Sequence, residues 1–233
     1  MCLPPKKSSE DFFKCALCRD TGFCYMAEQR ASRRCDCVNK RLRKARLAAI
    51  PSEYRGKTIE TLLPDPKRHP KQTAMVNRIR NRPEDSYFLA GKNRVGKTCF
   101  GWALYAWAVE QGRKAVAVTM QDLLTQYRAW EFRTETTRRP VLLPEDVTNT
   151  PLTLFIDEVE KSRPTEFGAE VVFALLNKML ACQHQLIITS NLPVDQFDGY
   201  TGLTLREHWS RVDPVWGSSI CSRFEECVLI TLF

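Results

Sequence analysis

The residues best suited to chemistry form one glycine-rich loop, Gly91-Lys92-Asn93-Arg94-Val95-Gly96-Lys97-Thr98. It follows the short apolar run 87–90 and leads into a segment whose composition indicates a helix. The spacing G-x-x-x-x-G-K-T is typical of a loop that binds the phosphates of a nucleoside triphosphate. Its glycines let backbone N–H groups converge on an anion, and the following helix points its positive end at the same place. We therefore expect Lys97 to reach the terminal phosphates of ATP and Thr98 to ligate Mg2+.

Two acids, Asp157 and Glu158, come directly after the apolar run 152–156 and lie about sixty residues beyond the loop. Such a run predicts a buried strand, and ligands bind at the carboxyl ends of strands in α/β sheets. Asp157 is predicted to hold Mg2+ through its water shell, and Glu158 to orient and deprotonate an attacking water. Taken alone, the pair would also suit a cap for the next helix. Its combination with the phosphate loop favours catalysis.

Two further residues are candidates on weaker grounds. Asn191 ends the next apolar run, where an amide can bind the γ-phosphate or position water, although it would equally suit a turn. Arg223 precedes the last apolar run, and its position fits either a surface salt bridge or a contact with the nucleotide of a neighbouring subunit.

The ten cysteines are concentrated near the start of the chain, where six fall in the first forty residues. Cys15 and Cys18 form a C-x2-C pair, and Cys35 and Cys37 form a C-x-C pair sixteen residues later. Two such pairs can close a tetrahedron around Zn2+. Cys24 is a spare thiol that could replace a member of the second pair, and a cluster of metal-free thiols is the alternative. A segment this short has no core of its own, so a metal would supply much of its folding energy.

Composition limits the remaining classes of function. The chain has 233 residues with a formal net charge of +8, which suits an anionic partner without choosing one. It contains no apolar run of the ~20 residues that a membrane span needs, and its first residues lack the apolar stretch of a signal peptide. We therefore expect a cytoplasmic protein with no membrane partner. A basic amphipathic helix over residues 40–50 would contact nucleic acid or a partner, or would simply link two domains.

The order of predicted elements indicates an α/β fold with a parallel sheet and helices on both faces. We predict a small domain over residues 1–50 and a larger one over residues 51–233. Helices are predicted over residues 70–80, from the loop to about 112, 121–132 and 165–182. Strands are predicted over residues 115–119, 152–158, 186–191 and 227–233, with another before the loop.

Together these features resemble the AAA+ ATPases of the bacterial helicase-loader group, DnaC and DnaI, and their relative IstB, a transposition helper. The resemblance covers nearly the whole chain, from about residue 15 to residue 233. Its parts are the cysteine pairs before a basic helix, the segment 50–62, the phosphate loop, Leu154 to Glu158 as Walker B, Ile188 to Leu192 as sensor 1, and Ser222-Arg223-Phe224 as the arginine-finger box.

The resemblance implies a P-loop AAA+ fold without a C-terminal lid, and an ATPase that loads or remodels a replicative helicase. Family members bind single-stranded DNA inside a spiral of subunits while the N-terminal domain grips the helicase, so a homo-oligomer on ATP or DNA is expected. Lys97 and Glu158 would carry catalysis, Asn191 would be sensor 1, and Arg223 would act across a subunit interface. The segment 51–61 would lie against adenine. Basic residues between Arg128 and Arg139 would contact DNA, or would equally suit a solvated face.

One departure from the family pattern concerns Arg94, which stands where the family usually has glycine. A bulky cation there would either strengthen phosphate binding or hinder turnover. Two alternative functions remain open: a transposition helper acting on target DNA, and a zinc-anchored adaptor that binds ATP without hydrolysing it.

Overall fold

The chain forms two compact units that meet in sequence between Ala49 and Ile50. The computed structural model describes residues 14–62, 67, 70–132, 140, 142–148 and 150–232. Residues 133–139, part of the basic stretch expected to contact DNA, lie outside the described residues.

The first unit is built from a hairpin and one helix. Strands β1 (Phe23–Met26) and β2 (Ala31–Arg34) pair antiparallel around a short 3-10 turn, and helix α1 (Asp36–Ala48) follows. Among its described residues, only Cys18 and Cys35 bury their side chains, and α1 buries none. The described part of this unit therefore has no apolar core. The hairpin was not predicted, because its strands lack an alternating apolar pattern.

The second unit is organised around a five-stranded parallel sheet in the order β4-β5-β6-β3-β7. The predicted α/β class with a parallel sheet is confirmed. Its strands are β3 (Tyr87–Gly91), β4 (Lys114–Thr119), β5 (Leu152–Asp157), β6 (Gln185–Ser190) and β7 (Val228–Leu232).

Helices cover both faces of this sheet because successive strand residues point to opposite sides. Leu154 and Ile156 join the apolar core that includes residues of α4 and α5, whereas Phe155 between them meets Gly101 of α3. The helices are α2 (Pro70–Asn81), α3 (Lys97–Glu110), α4 (Met120–Glu131), α5 (Glu166–Ala181), α6 (Leu205–Ser210) and α7 (Pro214–Glu225). Within the described part of the chain, no helix is both long enough and apolar enough to cross a bilayer.

Helices α6 and α7 were not predicted, although their start signals are present in the sequence. Thr204 and Glu207 form a reciprocal capping box at the start of α6. Asp213 caps α7, and Pro214 occupies its first position. Helix α6 has only 6 residues, and both helices come after a stretch without a clear period, so hydrophobic spacing alone did not reveal them.

Candidate active site

The glycine-rich loop connects the end of β3 to the start of α3 and is tightly turned. Gly96 precedes α3 with a φ of 96°, which glycine adopts without steric cost. Gly91 lies so close to β7 that an added Cβ would be 2.8 Å from the Cβ of Leu232. Arg94 also has a positive φ, 68°, a left-handed conformation that costs a residue with a Cβ roughly 1–2 kcal/mol. The loop is thus held against the sheet edge by features of its backbone.

The ammonium of Lys97 is buried and fully hydrogen-bonded. Its Nζ donates to the carbonyl oxygens of Gly91 (2.8 Å) and Lys92 (2.9 Å) and to Oδ1 of Asn191 (2.9 Å). Burial lowers the pKa of Lys97, and the nearby carboxylates, chiefly Glu160, oppose that shift. An ammonium has three N–H donors. Binding a phosphate oxygen therefore means exchanging one of these three partners.

Asp157 lies at the end of β5 with two hydroxyl donors. Its Oδ1 accepts from Thr98 Oγ1 at 3.2 Å and from Thr189 Oγ1. Thr189 Oγ1 in turn accepts from the backbone N–H of Glu158 at 3.0 Å. Burial raises the pKa of Asp157, while the two hydroxyls act against that rise. Asp157 and Lys97 are thus desolvated charges of opposite sign, and a ligand carrying both a cation and phosphates would compensate them.

Three residues around the end of β5 and β6 have distinct positions. Glu158 is exposed with a φ of 54° and precedes the 3-10 turn Val159–Lys161. Glu160 lies within that turn, half-buried, and its Oε1 accepts from Nδ2 of Asn191 at 2.5 Å. Asn191, just beyond β6, therefore joins Glu160 to Lys97.

A cavity of about 480 Å³ opens at this edge of the sheet. It is large enough for a small-molecule ligand, for which pockets of about 300–1,000 Å³ are usual. Tyr54 lines one part of it and stacks on Trp102, with ring centroids 6.5 Å apart. The lining residues are Tyr54, Asn93, Arg94, Gly96, Lys97, Thr98, Cys99, Glu158, Thr189, Ser190 and Asn191.

The structure brings most of the sequence-predicted residues to this cavity, some of them indirectly. Gly91 and Lys92 bond to Lys97 through their carbonyls, and Asp157 reaches the cavity through Thr98. Val95 is not among the lining residues, although its carbonyl accepts from Gln72 Nε2 at 3.0 Å.

Arg223 lies apart from the cavity of its own chain, on α7. Its Nη1 donates to Oε1 of Glu226 at 2.6 Å, and its guanidinium lies 5.8 Å from the ring centroid of Phe173. Its Nε is buried without a hydrogen-bond partner. In this chain Arg223 does not contact the phosphate loop.

Sequence reasoning missed Glu160 and the bond between Thr189 and Asp157. Thr189 offered a signal, since it is a hydroxyl-bearing residue near the end of an apolar strand beside the strand of Asp157. Glu160 offered none, because a single acid in a turn after β5 has no period or spacing that marks it.

The first unit contains a separate cluster of four thiols, those of Cys15, Cys18, Cys35 and Cys37. All four Sγ atoms lie within 4.8 Å of one another. Cys15 and Cys35 are 3.7 Å apart, and Cys18 and Cys37 are 3.4 Å apart. A Zn–S bond of about 2.3 Å places the corners of a tetrahedron roughly 3.8 Å apart, so this donor set fits Zn2+. Cys24, the spare thiol, is not one of the four.

Hydrogen bonds and burial act on these thiols in opposite directions. Backbone hydrogen bonding, first from Cys18, lowers the pKa of Cys15 to about 7. Arg41 donates from Nη2 to Sγ of Cys37 at 3.3 Å and acts to lower the pKa of Cys37, but burial and the thiol of Cys18 raise it. The pKa of Cys35 is raised as well, against the backbone hydrogen bond from Cys37. Because thiolates and not thiols bind metal, the hydrogen bonds to Cys15 and Cys37 are the contacts that suit a metal site.

Comparison by sequence finds no relative: no family model matches the chain, and no curated protein matches it either. Similarity appears at the level of structure. DnaI matches with a TM-score of 0.60 at 15% identity, over 79% of this chain and 95% of that chain. The DnaC helicase loader matches with a TM-score of 0.56 at 18% identity, over 78% of this chain and 100% of that chain.

A third neighbour is DnaA from Aquifex aeolicus bound to AMPPCP, with a TM-score of 0.52 at 16% identity. The match covers 79% of this chain and 51% of DnaA, so it spans about half the length of that protein. Identities this low show the fold alone. That fold is a P-loop sheet of the kind seen in DnaC, DnaI and DnaA.

Proposed function

We propose that the protein is an ATP-hydrolysing AAA+ protein that binds single-stranded DNA and loads or remodels a replicative helicase when DNA replication begins. The observation that carries the proposal is the cavity between the phosphate loop and the ends of β5 and β6. There Lys97, Thr98 and Glu158 line one space, and Asp157 is bonded to Thr98.

Each of these residues has a role in the proposed hydrolysis. Lys97 exchanges one of its three hydrogen bonds for a phosphate oxygen and neutralises charge on the γ-phosphate. Thr98 and Asp157 would hold Mg2+, which would offset the negative charge of the phosphates. The exposed carboxylate of Glu158 takes a proton from water as that water attacks the γ-phosphorus and ADP leaves.

Replacement of Glu158 by Gln tests hydrolysis directly. An amide keeps the shape of the side chain but accepts no proton, so we expect phosphate release to fall at least a hundredfold while ATP affinity stays within a few-fold. Asp198→Asn, at an exposed acid outside the cavity lining, is the control and should keep full turnover. Undiminished phosphate release by the Glu158 variant would remove the catalytic assignment.

Arg223 supports the proposal that the active form is a homo-oligomer, because its position suits action on a neighbouring subunit. Arg223→Ala should bind ATP normally but hydrolyse it slowly. Mixing this variant with Glu158→Gln should restore activity, since the first keeps a working cavity and the second supplies the arginine. Two inactive variants that stay inactive when mixed would contradict action between subunits.

We assign the binding site for single-stranded DNA to the basic stretch that begins with Arg128. Arg128 is exposed and donates to Thr165 Oγ1 at 3.3 Å, whereas the stretch 133–139 lies outside the described residues. Replacing Arg133, Arg138 and Arg139 by Gln should weaken binding of oligothymidylate and lower its salt slope by about 2, near 0.7 per lost phosphate contact. An unchanged slope would move the DNA site elsewhere.

The helicase is assigned to the first unit, whose described residues present four large apolar side chains to solvent. Leu42 is 40% exposed, and the three most exposed are Leu17 at 82%, Phe23 at 58% and Tyr25 at 68%. Exposed apolar side chains gathered in so small a unit suit a protein partner. Replacing all three by Ser should abolish recovery of the replicative helicase on the tagged full chain and leave its metal content unchanged. Recovery of a transposase in place of the helicase would support the role of a transposition helper.

A further inference from the structure

Three polar side chains connect the phosphate loop to the turn after β5. Lys97 Nζ lies 2.9 Å from Asn191 Oδ1, and Asn191 Nδ2 lies 2.5 Å from Glu160 Oε1. The amide of Asn191 is therefore held between a cation and an anion.

These two charges determine which way the amide faces. An amide oxygen only accepts hydrogen bonds and an amide nitrogen only donates them. Turning the amide by 180° would set its N–H groups against the ammonium of Lys97 and its oxygen against the carboxylate of Glu160. Both new contacts would be repulsive, so the electrostatics of the two neighbours permit one orientation.

The burial of the Glu160 carboxylate is unfavourable in free energy, and packing does not explain it. Its second oxygen, Oε2, is buried and has no hydrogen-bond partner. A buried charged oxygen without a partner is unfavourable by itself. Glu160 also faces the other charged groups of the site: it acts on the pKa of Lys97 and on that of Asp157. The carboxylate of Glu160 therefore contributes more by orienting a neighbouring side chain than by stabilising the fold.

We propose that Glu160 is a positioning residue that keeps the amide nitrogen of Asn191 available to the γ-phosphate of bound ATP. Nδ2 has two N–H groups, of which Glu160 accepts one. The second is the donor offered to the γ-phosphate, since Asn191 lines the cavity. The inference rests on the proposed function, because it places a triphosphate there. ADP lacks the γ-phosphate, so Glu160 acts on the preference for ATP over ADP.

The test is calorimetric titration of the full chain with ADP and with a non-hydrolysable ATP analogue, at fixed Mg2+. Glu160→Ala should lower the ratio of the two affinities on the order of tenfold, the effect of losing one hydrogen bond to a charged phosphate. Glu160→Gln should keep the ratio, because its amide oxygen still accepts from Asn191. It should also tighten binding of both nucleotides, since a negative charge near the phosphates is gone.

A second variant shows whether Glu160 acts through Asn191. Asn191→Ala alone should lower the ratio as much as Glu160→Ala does, and adding Glu160→Ala to it should change the ratio no further. A further tenfold fall in the double variant would mean that Glu160 acts by another route, and an unchanged ratio in Glu160→Ala would overturn the inference. ADP affinity serves as the check on folding.

The two proposals fail in different ways. A wild-type chain that binds neither nucleotide overturns the proposed function and this inference together. A wild-type chain that binds ATP and hydrolyses it, with a ratio insensitive to Glu160→Ala, overturns this inference alone.

Discussion

Each of the two units of the chain is stabilised in a different way. In the first, the described residues bury only the side chains of Cys18 and Cys35, and the four thiols gather within 4.8 Å. In the second, a parallel sheet is covered on both faces by apolar side chains. Below about 70–80 residues a single apolar core rarely supplies enough stability, and a metal or disulfides commonly add to it.

The same contrast separates the two candidate sites. The cysteine cluster is the centre of its unit, so a metal bound there would stabilise the fold of that unit. The cavity beside the phosphate loop lies at the edge of a packed sheet, so the fold of the second unit does not depend on a ligand there. We therefore expect metal to act on folding in one unit, and nucleotide to act on chemistry in the other.

Removal of the metal should have the largest effect. In zinc-finger peptides, structural Zn2+ contributes an apparent folding free energy of about 10–16 kcal/mol. The packing of a unit of this size cannot replace that contribution. Chelation should therefore unfold residues 14–49, which hydrogen exchange would detect as a loss of protection. The melting temperature of the second unit should stay unchanged. Purified protein should contain about one zinc per chain.

Cys18→Ser and Cys24→Ser form a matched pair for this prediction. Both remove one thiol from the same unit, but only Cys18 belongs to the four-thiol cluster. Zinc should be lost from the first variant and kept in the second. Two outcomes would contradict this prediction: equal zinc content in the two variants, or a first unit that stays protected from hydrogen exchange in the metal-free chain.

Overpacking the second unit should have an intermediate effect. A Cβ added at Gly101 would lie 2.4 Å from Cζ of Phe155 in the middle of the sheet face. Gly101→Ala should therefore destabilise this unit by about 1–3 kcal/mol in denaturant unfolding and leave zinc content unchanged. Adding Phe155→Leu should recover part of the loss, because it makes room for the methyl group. A double variant less stable than both single variants would mean that this contact is not the cause.

Arg94 should give the smallest change in stability. Glycine at position 94 would relieve about 1–2 kcal/mol of left-handed strain but would lose about 0.5–1 kcal/mol through the greater freedom of the unfolded chain. Arg94→Gly should therefore stabilise the second unit by up to about 1.5 kcal/mol. ATP affinity should fall a few-fold, since Arg94 lines the cavity. Arg94→Lys keeps both the charge and the strain and should change neither quantity. A turnover that rises sharply in Arg94→Gly would support the adaptor function in the natural chain.

The fold of the second unit was largely predictable because its elements carry strong periodic signals. The strands that end at Gly91, Asp157 and Ser190 are short apolar runs bounded by polar or glycine residues. Parallel strands meet at one edge, so the sequence also predicted that Lys97, Asp157 and Asn191 would converge. Helices α6 and α7 were not predicted, because only their capping residues indicate them in the sequence.

What sequence could not provide were contacts made between elements. Glu160 meets Asn191 across 31 positions of the chain, and only the placement of the turn after β5 beside β6 brings them together. The hairpin of the first unit was not predicted either, because its strands carry no alternating apolar pattern. The cysteine spacing predicted which four thiols would lie together but not the structure between them.

Calorimetric titration of the full chain with a non-hydrolysable ATP analogue and Mg2+ tests most directly whether the cavity beside the phosphate loop binds ATP with Mg2+. We expect one nucleotide bound per chain, with affinity at least tenfold weaker in Lys97→Met, which keeps an unbranched side chain one atom shorter and removes its charge. Equal affinity in both proteins, or no binding by the wild-type chain, would contradict the account.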